Sequence, residues 1–313
     1  MTNNSTFDLC IIGGGPAGVS AGIYAARKKI KTIFITETFK GQSVVSDNIQ
    51  NWIGTVSISG EELASNLEKH LKAYAGDIVD IKEKEIVIDL TKEGGIFNIK
   101  TNKSEYKAKT VLIASGSIRR KLKAEGAEKF EGKGITYCAT CDGPMFSDMD
   151  VVVIGGGNSA FESASQLLAY AKSVTIMQRS DFKADPVTMH NVLSNSKVKG
   201  ITNVDIVEIK GDKFVSGITY KDKTTGEVKE LDIQGIFVEI GANPSVEYVK
   251  TSGIIKLDDK EQVVTDPKNQ KTSQIGIWAA GDCTDGLYKQ NNIAVGDAIK
   301  AVEDIYKFLK TEK

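Results

Sequence analysis

The sequence has no apolar run near the roughly 20 residues that cross a bilayer. Its start, "MTNNSTFDLCIIGGG", has no basic segment and no cleavage-like site, so no secretory leader is expected. Charge of neither sign prevails: 40 Lys and Arg against 41 Asp and Glu leave a net charge of −1. Without a basic patch, neither a nucleic-acid partner nor a membrane partner is expected. Histidines number two and cysteines four, Cys10, Cys138, Cys141 and Cys283. What remains is a globular composition, 26% charged and 41% hydrophobic, long enough for about two domains. The expected compartment is the cytosol.

The same plan occurs twice. "FDLCIIGGGPAGVSAGIYAARKKIKTIFITE" has an apolar run, a glycine cluster, a helical stretch and a second apolar run, which together read as a βαβ unit. "DVVVIGGGNSAFESASQLLAYAKSVTIMQRS" repeats it. Each is followed by short strand-like pieces separated by turns, "KEGG" and "TNKS" in one half, "KGDK" and "KTTGE" in the other. Each then ends in an apolar strand that closes on glycine, "TVLIASGS" or "GIFVEIGANP". About seventy C-terminal residues hold one more strand, "IGIWAAGDC", and an amphipathic helix; they are too few for a third doubly wound sheet. The expected fold is α/β, two Rossmann-like three-layer nucleotide-binding domains, the first discontinuous. Residues 1–116 and 247–313 form the first domain and residues 117–246 the second.

Gly13, Gly15 and Gly18 match G-x-G-x-x-G, and Gly155, Gly157 and Ala160 match G-x-G-x-x-A. The first glycine permits a tight strand-to-helix turn, the second lets backbone approach a pyrophosphate, and the third position must be small for helix and strand to pack. The pyrophosphate then lies at a helix N-terminus, where free N–H groups favour anions. Glu37 closes the first unit, where an acid can bind a ribose diol; a solvated charge at a strand end is the plain alternative. Two such motifs imply two dinucleotides, read as FAD and a nicotinamide nucleotide.

"TYCATCDGP" holds the close cysteine pair, Cys138 and Cys141. A structural zinc needs four ligands, and only His70, His190, Cys10 and Cys283 remain, with no second paired motif. A fixed disulfide does not suit a reducing compartment. A redox pair needs a spacer that lets the sulfurs bond, a thiol available as thiolate, and a group to move the proton. Asp142 is the candidate for that last role; a turn or cap carboxylate ahead of Gly143 and Pro144 is its alternative. Cys10 reads as a small buried hydrophobe.

"GGGPAGVSAGIYAAR", "ITYCATCDGP", "VVVIGGGNSAFESA", "IGANP" and "WAAGDC…YKQ…A" occur in one order over nearly the whole chain. With them the chain resembles the low-molecular-weight thioredoxin reductases. Its second half, in "CDGPMF", "KADP", "GIFVEIG" and "AAGDCTDGLYKQ", is also similar to the flavoprotein subunit of alkyl hydroperoxide reductase; that protein's N-terminal thioredoxin-fold portion is not expected here, since the flavin motif begins almost at residue 7. The resemblance implies a homodimeric flavoprotein that reduces thioredoxin or a thioredoxin-like protein. Electrons would pass from NADPH or NADH to FAD, to the Cys138–Cys141 disulfide, and on to the partner. Cys138 would attack the partner, Cys141 would face the flavin, and Asp142 would handle the proton.

By the same match, Gly13, Gly15, Gly18 and Glu37 would hold the adenosine half of FAD. Gly41, Gln42, Asn51, Gly281, Asp282, Lys289, Gln290 and Ala294 would hold the rest, although the family usually has Arg where Lys289 stands. Gly155, Gly157, Asn158, Ala160, Arg179 and Lys183 would hold the nicotinamide nucleotide. In the family the second domain rotates, and Gly116–Ser117 and Asn243–Val246 would be its hinges.

The pattern departs from the family in "MQRSDFKADP". Family members read the 2′-phosphate of NADPH with a run of His and Arg. Here Arg179 stands with Gln178 and Ser180 on either side, and Lys183 follows. Neither this set nor the absence of a strand-end acid selects NADPH or NADH. Some relatives with degraded nicotinamide motifs take electrons from ferredoxin, so ferredoxin is an alternative donor. A peroxidase or a glutaredoxin-like protein is the alternative partner, and a non-enzymatic flavin-binding role the plain one.

Overall fold

The computed structural model describes residues 6–46 and 49–311. It divides into two compact units. One holds Met1–Asn48, Trp52–Ile118 and Asn243–Lys313; the other holds Ile49–Asn51 and Arg119–Ala242.

The first unit opens with β1 (Phe7–Ile12), α1 (Pro16–Arg27) and β2 (Thr32–Thr36). β1 is apolar and buried almost throughout, as a parallel strand covered on both faces must be. Pro16 stands at the start of α1, where its missing N–H costs nothing. Gly22 lets α1 lie close to its neighbours: a Cβ there would be 2.7 Å from Leu71 Cδ1 and 3.3 Å from the Phe34 ring. Helix α2 (Gly60–Ala75) carries Leu71; its N-cap is Ser59, whose side chain accepts from Glu62 N at 3.1 Å. Then come β3 (Val79–Glu83) and the meander β4 (Val87–Glu93), β5 (Ile96–Thr101) and β6 (Glu105–Ile113).

Strand β7 (Ser117–Arg119) leads into the second unit. There β8 (Ile135–Thr136) precedes the single turn α3 (Ala139–Asp142). The second βαβ follows as β9 (Asp150–Ile154), α4 (Asn158–Leu167) and β10 (Ser173–Met177), then α5 (Pro186–Leu193) and β11 (Val198–Ile201). The antiparallel sheet of β12 (Val204–Gly211), β13 (Val215–Asp222) and β14 (Val228–Asp232) precedes β15 (Gly235–Val238). The parallel order is β11-β10-β9-β15-β8. Strand β16 (Ala242–Pro244) runs back and pairs with β7.

The remaining elements belong to the first unit: α6 (Glu247–Ser252), β17 (Ile277–Ala279) and α7 (Asn291–Thr311). The sheet order there is β3-β2-β1-β6-β5-β4. Strand β6 pairs antiparallel with β5 over its first half, and its last three residues, Val111–Ile113, pair parallel with β17.

Both units are three-layered, and strand alternation assigns the layers. In β1, Leu9 and Ile11 pack with α1, α2 and α7, whereas Cys10 and Ile12 pack toward β4, β5 and α6. In β9, Val151 and Val153 face α4, and Val152 and Ile154 face the antiparallel sheet. The expected α/β class with two Rossmann-like three-layer domains is what forms. No described helix is long and apolar enough to cross a membrane.

Candidate functional site

In each unit the first strand of the βαβ passes into its helix through a turn with no space for a side chain. Gly13 has φ +120°, and a Cβ there would lie 2.2 Å from the Ala114 carbonyl oxygen. Gly155 has φ +142°, and its Cβ would lie 2.3 Å from the Glu239 carbonyl oxygen. Ala114 and Glu239 follow β6 and β15, the strands beside β1 and β9, so each turn is clamped by the neighbouring strand's exit. The third positions differ for a local reason. A Cβ on Gly18 would be 1.9 Å from Gly13 O, whereas Ala160 fits fully buried.

The middle glycines are the opposite case. Gly15 and Gly157 have nothing within 4 Å of a built Cβ. Each is the extended N-cap of its helix, with no side-chain cap. This bare backbone at a helix start, open on one side, fits a pyrophosphate. The residues present therefore fit a dinucleotide in each unit.

In the first unit, the chain brings distant residues to this turn. The nearest atom to a built Cβ on Gly41 is Gly15 Cα, at 3.9 Å. Gly281, with φ +79°, would set a Cβ 3.2 Å from Ala17 Cβ and 3.3 Å from Ala294 Cβ. Gly15, Gly41, Gly281 and Ala294 thus surround the start of α1. Glu37 is exposed just after β2. Gln42 donates through Nε2 to the Ser117 carbonyl. The half-buried Lys289 amine donates to the Thr284 carbonyl, and burial holds its pKa below the usual lysine range. Asp282 and Gln290 stand on the same stretch that leads from β17 to α7.

In the second unit, Asn158 Oδ1 accepts from Asp185 N at 2.8 Å and ties the loop after β10 to α4. Lys183 N donates to Gly156 O at 2.7 Å, and its side chain is exposed. Gln178 folds over Gly156, where a Cβ would lie 2.7 Å from its Cγ. Arg179 is 81% exposed and pairs through Nε with Asp205, 3.3 Å away on β12.

Cys138 and Cys141 form a disulfide, Cα to Cα 5.3 Å. Both are half-buried, and Cys141 N donates to Cys138 Sγ at 3.1 Å. Asn51 groups with this unit and directs Nδ2 to Cys141 Sγ at 3.7 Å. The Thr136 hydroxyl donates to Asp142 Oδ2. Burial raises the Asp142 pKa above the ordinary carboxylate range, against the Thr136 bond and the nearby Arg119, which lower it. Burial likewise raises Glu239, against the Ser163 hydroxyl, which donates to its Oε1 at 2.7 Å, and Arg119. Thr136, Ser163, Glu239, Asp205 and Arg119 carried no signal in the sequence, because their contacts come from tertiary folding: Thr136 meets Asp142 as α3 turns back on β8, and Ser163 meets Glu239 across 76 residues.

Residues 7–298 match the family described as pyridine nucleotide-disulphide oxidoreductase. A protein of Bacillus subtilis named NADH dehydrogenase is 38% identical over 99% of this chain, which spans 60% of that relative's length. A thioredoxin reductase of Mycolicibacterium smegmatis is 36% identical over 98% of both chains. The crystal structure of a thioredoxin reductase from Streptococcus pyogenes superposes with a TM-score of 0.90 at 34% identity, covering 99% of this chain and 100% of that one.

Two outcomes follow from the geometry. Gly13→Ala is expected to lower stability by about 3 kcal/mol or more in urea unfolding. Gly15→Ala and Gly157→Ala should leave stability nearly unchanged while weakening retention of FAD and of pyridine nucleotide respectively, read by flavin content and by calorimetry. Asp142 is an acid whose folded pKa is raised. Its favourable term is therefore full below the unfolded carboxylate pKa and is lost as pH rises through the folded value. Asp142→Asn should flatten that fall when unfolding is followed upward from about pH 4.

Proposed function

The chain belongs to the pyridine nucleotide-disulphide oxidoreductase family, and from that premise we propose that it is an FAD-dependent disulfide reductase for thioredoxin or a thioredoxin-like protein, with NADH as donor. The observation that carries this reading is the Cys138–Cys141 disulfide beside Asp142, an acid held near its proton by burial, in the unit that also has the second glycine turn. The cytosol is the proposed compartment, where a close cysteine pair works as a couple. A homodimer is the proposed assembly, on the resemblance alone.

Bound FAD would supply two-electron exchange between a pyridine nucleotide and a disulfide. It would be held by Gly13, Gly15, Gly18, Glu37, Gly41, Gln42, Asn51, Gly281, Asp282, Lys289, Gln290 and Ala294, in a unit spanning residues 1–116 and 247–313. Gly155, Gly157, Asn158, Ala160, Arg179 and Lys183 would hold the nucleotide in the unit spanning 117–246. In the reduced protein, Cys138 attacks one sulfur of the partner's disulfide. A bond forms between Cys138 Sγ and that sulfur, and the other partner sulfur leaves as a thiol. Cys141 then attacks Cys138 Sγ, the intramolecular disulfide reforms, and the partner leaves with both thiols reduced. The Cys141 N–H aimed at Cys138 Sγ supports Cys138 as the thiolate. Asp142 takes and returns the proton of this exchange.

Charge at the end of β10 favours NADH over NADPH. A 2′-phosphate needs cations held for it. Arg179 is engaged with Asp205, Ser180 carries no charge, and Asp205 adds a negative charge where the phosphate would come. The Bacillus subtilis relative, named NADH dehydrogenase, points the same way.

Anaerobic mixing of the holoprotein with NADH, NADPH or reduced ferredoxin tests the donor, and bleaching by ferredoxin alone would replace it. Cys138→Ser and Cys141→Ser should each abolish reduction of thioredoxin while flavin reduction by NADH continues. Activity that survives in both would leave only flavin binding. A peroxidase or glutaredoxin-like protein reduced faster than thioredoxin would change the partner. Asp205→Asn should lower the KM for NADPH by about three-fold and leave that for NADH unmoved, since an exposed pair is worth up to about 1 kcal/mol.

A further inference from the structure

Four strand ends lie in a row along the carboxyl edge of the second unit's parallel sheet. The order β10-β9-β15-β8 sets it. Val238 pairs with Ile154, and Phe237 pairs with Thr136, so the strands end at nearly one level. Gln178 and Arg179 follow β10, the Gly155–Gly157 turn follows β9, Glu239 follows β15, and Tyr137 and Cys138 follow β8.

A dinucleotide bound here has its direction set by this row. The pyrophosphate lies at the turn after β9, and the adenosine half runs toward the strand on the βαβ side, β10. The other half must therefore cross the switch point toward β15. The first side chain past β15 is Glu239.

Glu239 is built to present one oxygen. Its backbone is fixed twice: its N donates to Ile154 O at 2.7 Å, and its carbonyl closes over Gly155. Oε1 accepts from the Ser163 hydroxyl at 2.7 Å, on the buried face of α4. Oε2 receives no hydrogen bond from any described side chain or backbone group, yet it is not among the described atoms sealed from solvent without a partner. The residue is half-buried. A carboxyl group with one oxygen anchored and the other neither bonded nor sealed from solvent is an acceptor waiting for a donor. The nicotinamide half of the dinucleotide has such a donor, the NH2 of its carboxamide.

We propose that Glu239 is the residue that recognises the nicotinamide end of the nucleotide, accepting a hydrogen bond from the carboxamide NH2 through Oε2. The inference rests on the donor reading above and goes beyond it, because it assigns a residue that neither glycine motif nor the cation after β10 contains. Arg119 and Glu162 are the charged groups that act on Glu239. Ser163 fixes its rotamer, so the open oxygen is pre-oriented before the nucleotide arrives.

The test uses oxidised dinucleotides, so no turnover intervenes. NAD⁺ and 3-acetylpyridine adenine dinucleotide, which has a methyl group in place of the amide NH2, are titrated calorimetrically into the holoprotein and into Glu239→Ala and Glu239→Gln. The wild type should bind NAD⁺ about ten-fold more tightly than the acetylpyridine analogue, as expected for a hydrogen bond with a charged partner. Glu239→Ala should bind NAD⁺ about ten-fold more weakly and bind the two dinucleotides alike. Glu239→Gln keeps an acceptor oxygen and a partner for Ser163, and should retain most of the preference. The same preference in wild type and Glu239→Ala, with flavin content and thermal midpoint unchanged, would overturn the assignment. Tight wild-type binding of neither dinucleotide would instead remove the donor reading, and this assignment with it.

Discussion

Everything in the two units depends on backbone meeting backbone where strand turns into helix. At Gly13 and Gly155 the exit of a neighbouring strand closes to within 2.2 Å and 2.3 Å of where a Cβ would be. The contact draws three segments together: the strand before the turn, the helix after it, and a strand that arrives roughly a hundred or more residues later for β6 and somewhat fewer for β15. Because the approach is made by carbonyl oxygens rather than by flexible side chains, it cannot relax around a larger residue. The helix start is left exposed, and in both units the open glycine comes two residues after the closed one.

That constraint also decides what can stand along the carboxyl edge of the second sheet. Once Gly155 fixes β9 against β15, the residue after β15 must lie beside the turn, and the residues after β8 come next. The disulfide is thus carried on the last strand of the very sheet whose middle strand holds the second glycine turn. The short β8 is enough for this because its two residues are paired in parallel with Ile236 and Phe237. The single turn of α3 then packs Ala139 into the helical side of the core, which leaves both sulfurs half-buried.

The glycine turns, the doubling of the plan and the cysteine pair were legible because each is local. A strand, a tight turn and a helix fall within one window, and the acid next to Cys141 is a neighbour in the chain. The side chains that tune the site were not legible. Thr136 reaches Asp142 only because α3 turns back on β8, and Ser163 reaches Glu239 only through the β9–β15 register. Arg179 could be read as a cation, but not Asp205, which arrives on a strand of the other sheet and occupies it. Asn51 falls within the stretch expected for the first domain, yet its contacts group it with the second unit. The resemblance puts Lys289 on the flavin side; what the chain alone does not tell is that its amine donates to the Thr284 carbonyl of its own loop.

Asp142 and Glu239 obey the same balance of forces. Each accepts from one hydroxyl, Thr136 or Ser163, and each feels Arg119; both influences favour the ionised carboxylate. Burial opposes them in both cases and is the larger influence, so both acids hold their protons above the ordinary range. The hydroxyls therefore matter less for charge than for aim. A carboxyl group with one oxygen pinned cannot swing to solvent when it ionises, so the proton it exchanges leaves from a fixed place. For Asp142, next in the chain to Cys141, a fixed proton suits the proposed thiol–disulfide exchange, which needs one delivered and removed. For Glu239 the pinned oxygen leaves the other without a hydrogen bond from the described residues. One arrangement, a half-buried acid held by a single hydroxyl near a strand end, thus underlies both proposed roles, proton transfer after one strand and recognition after the next.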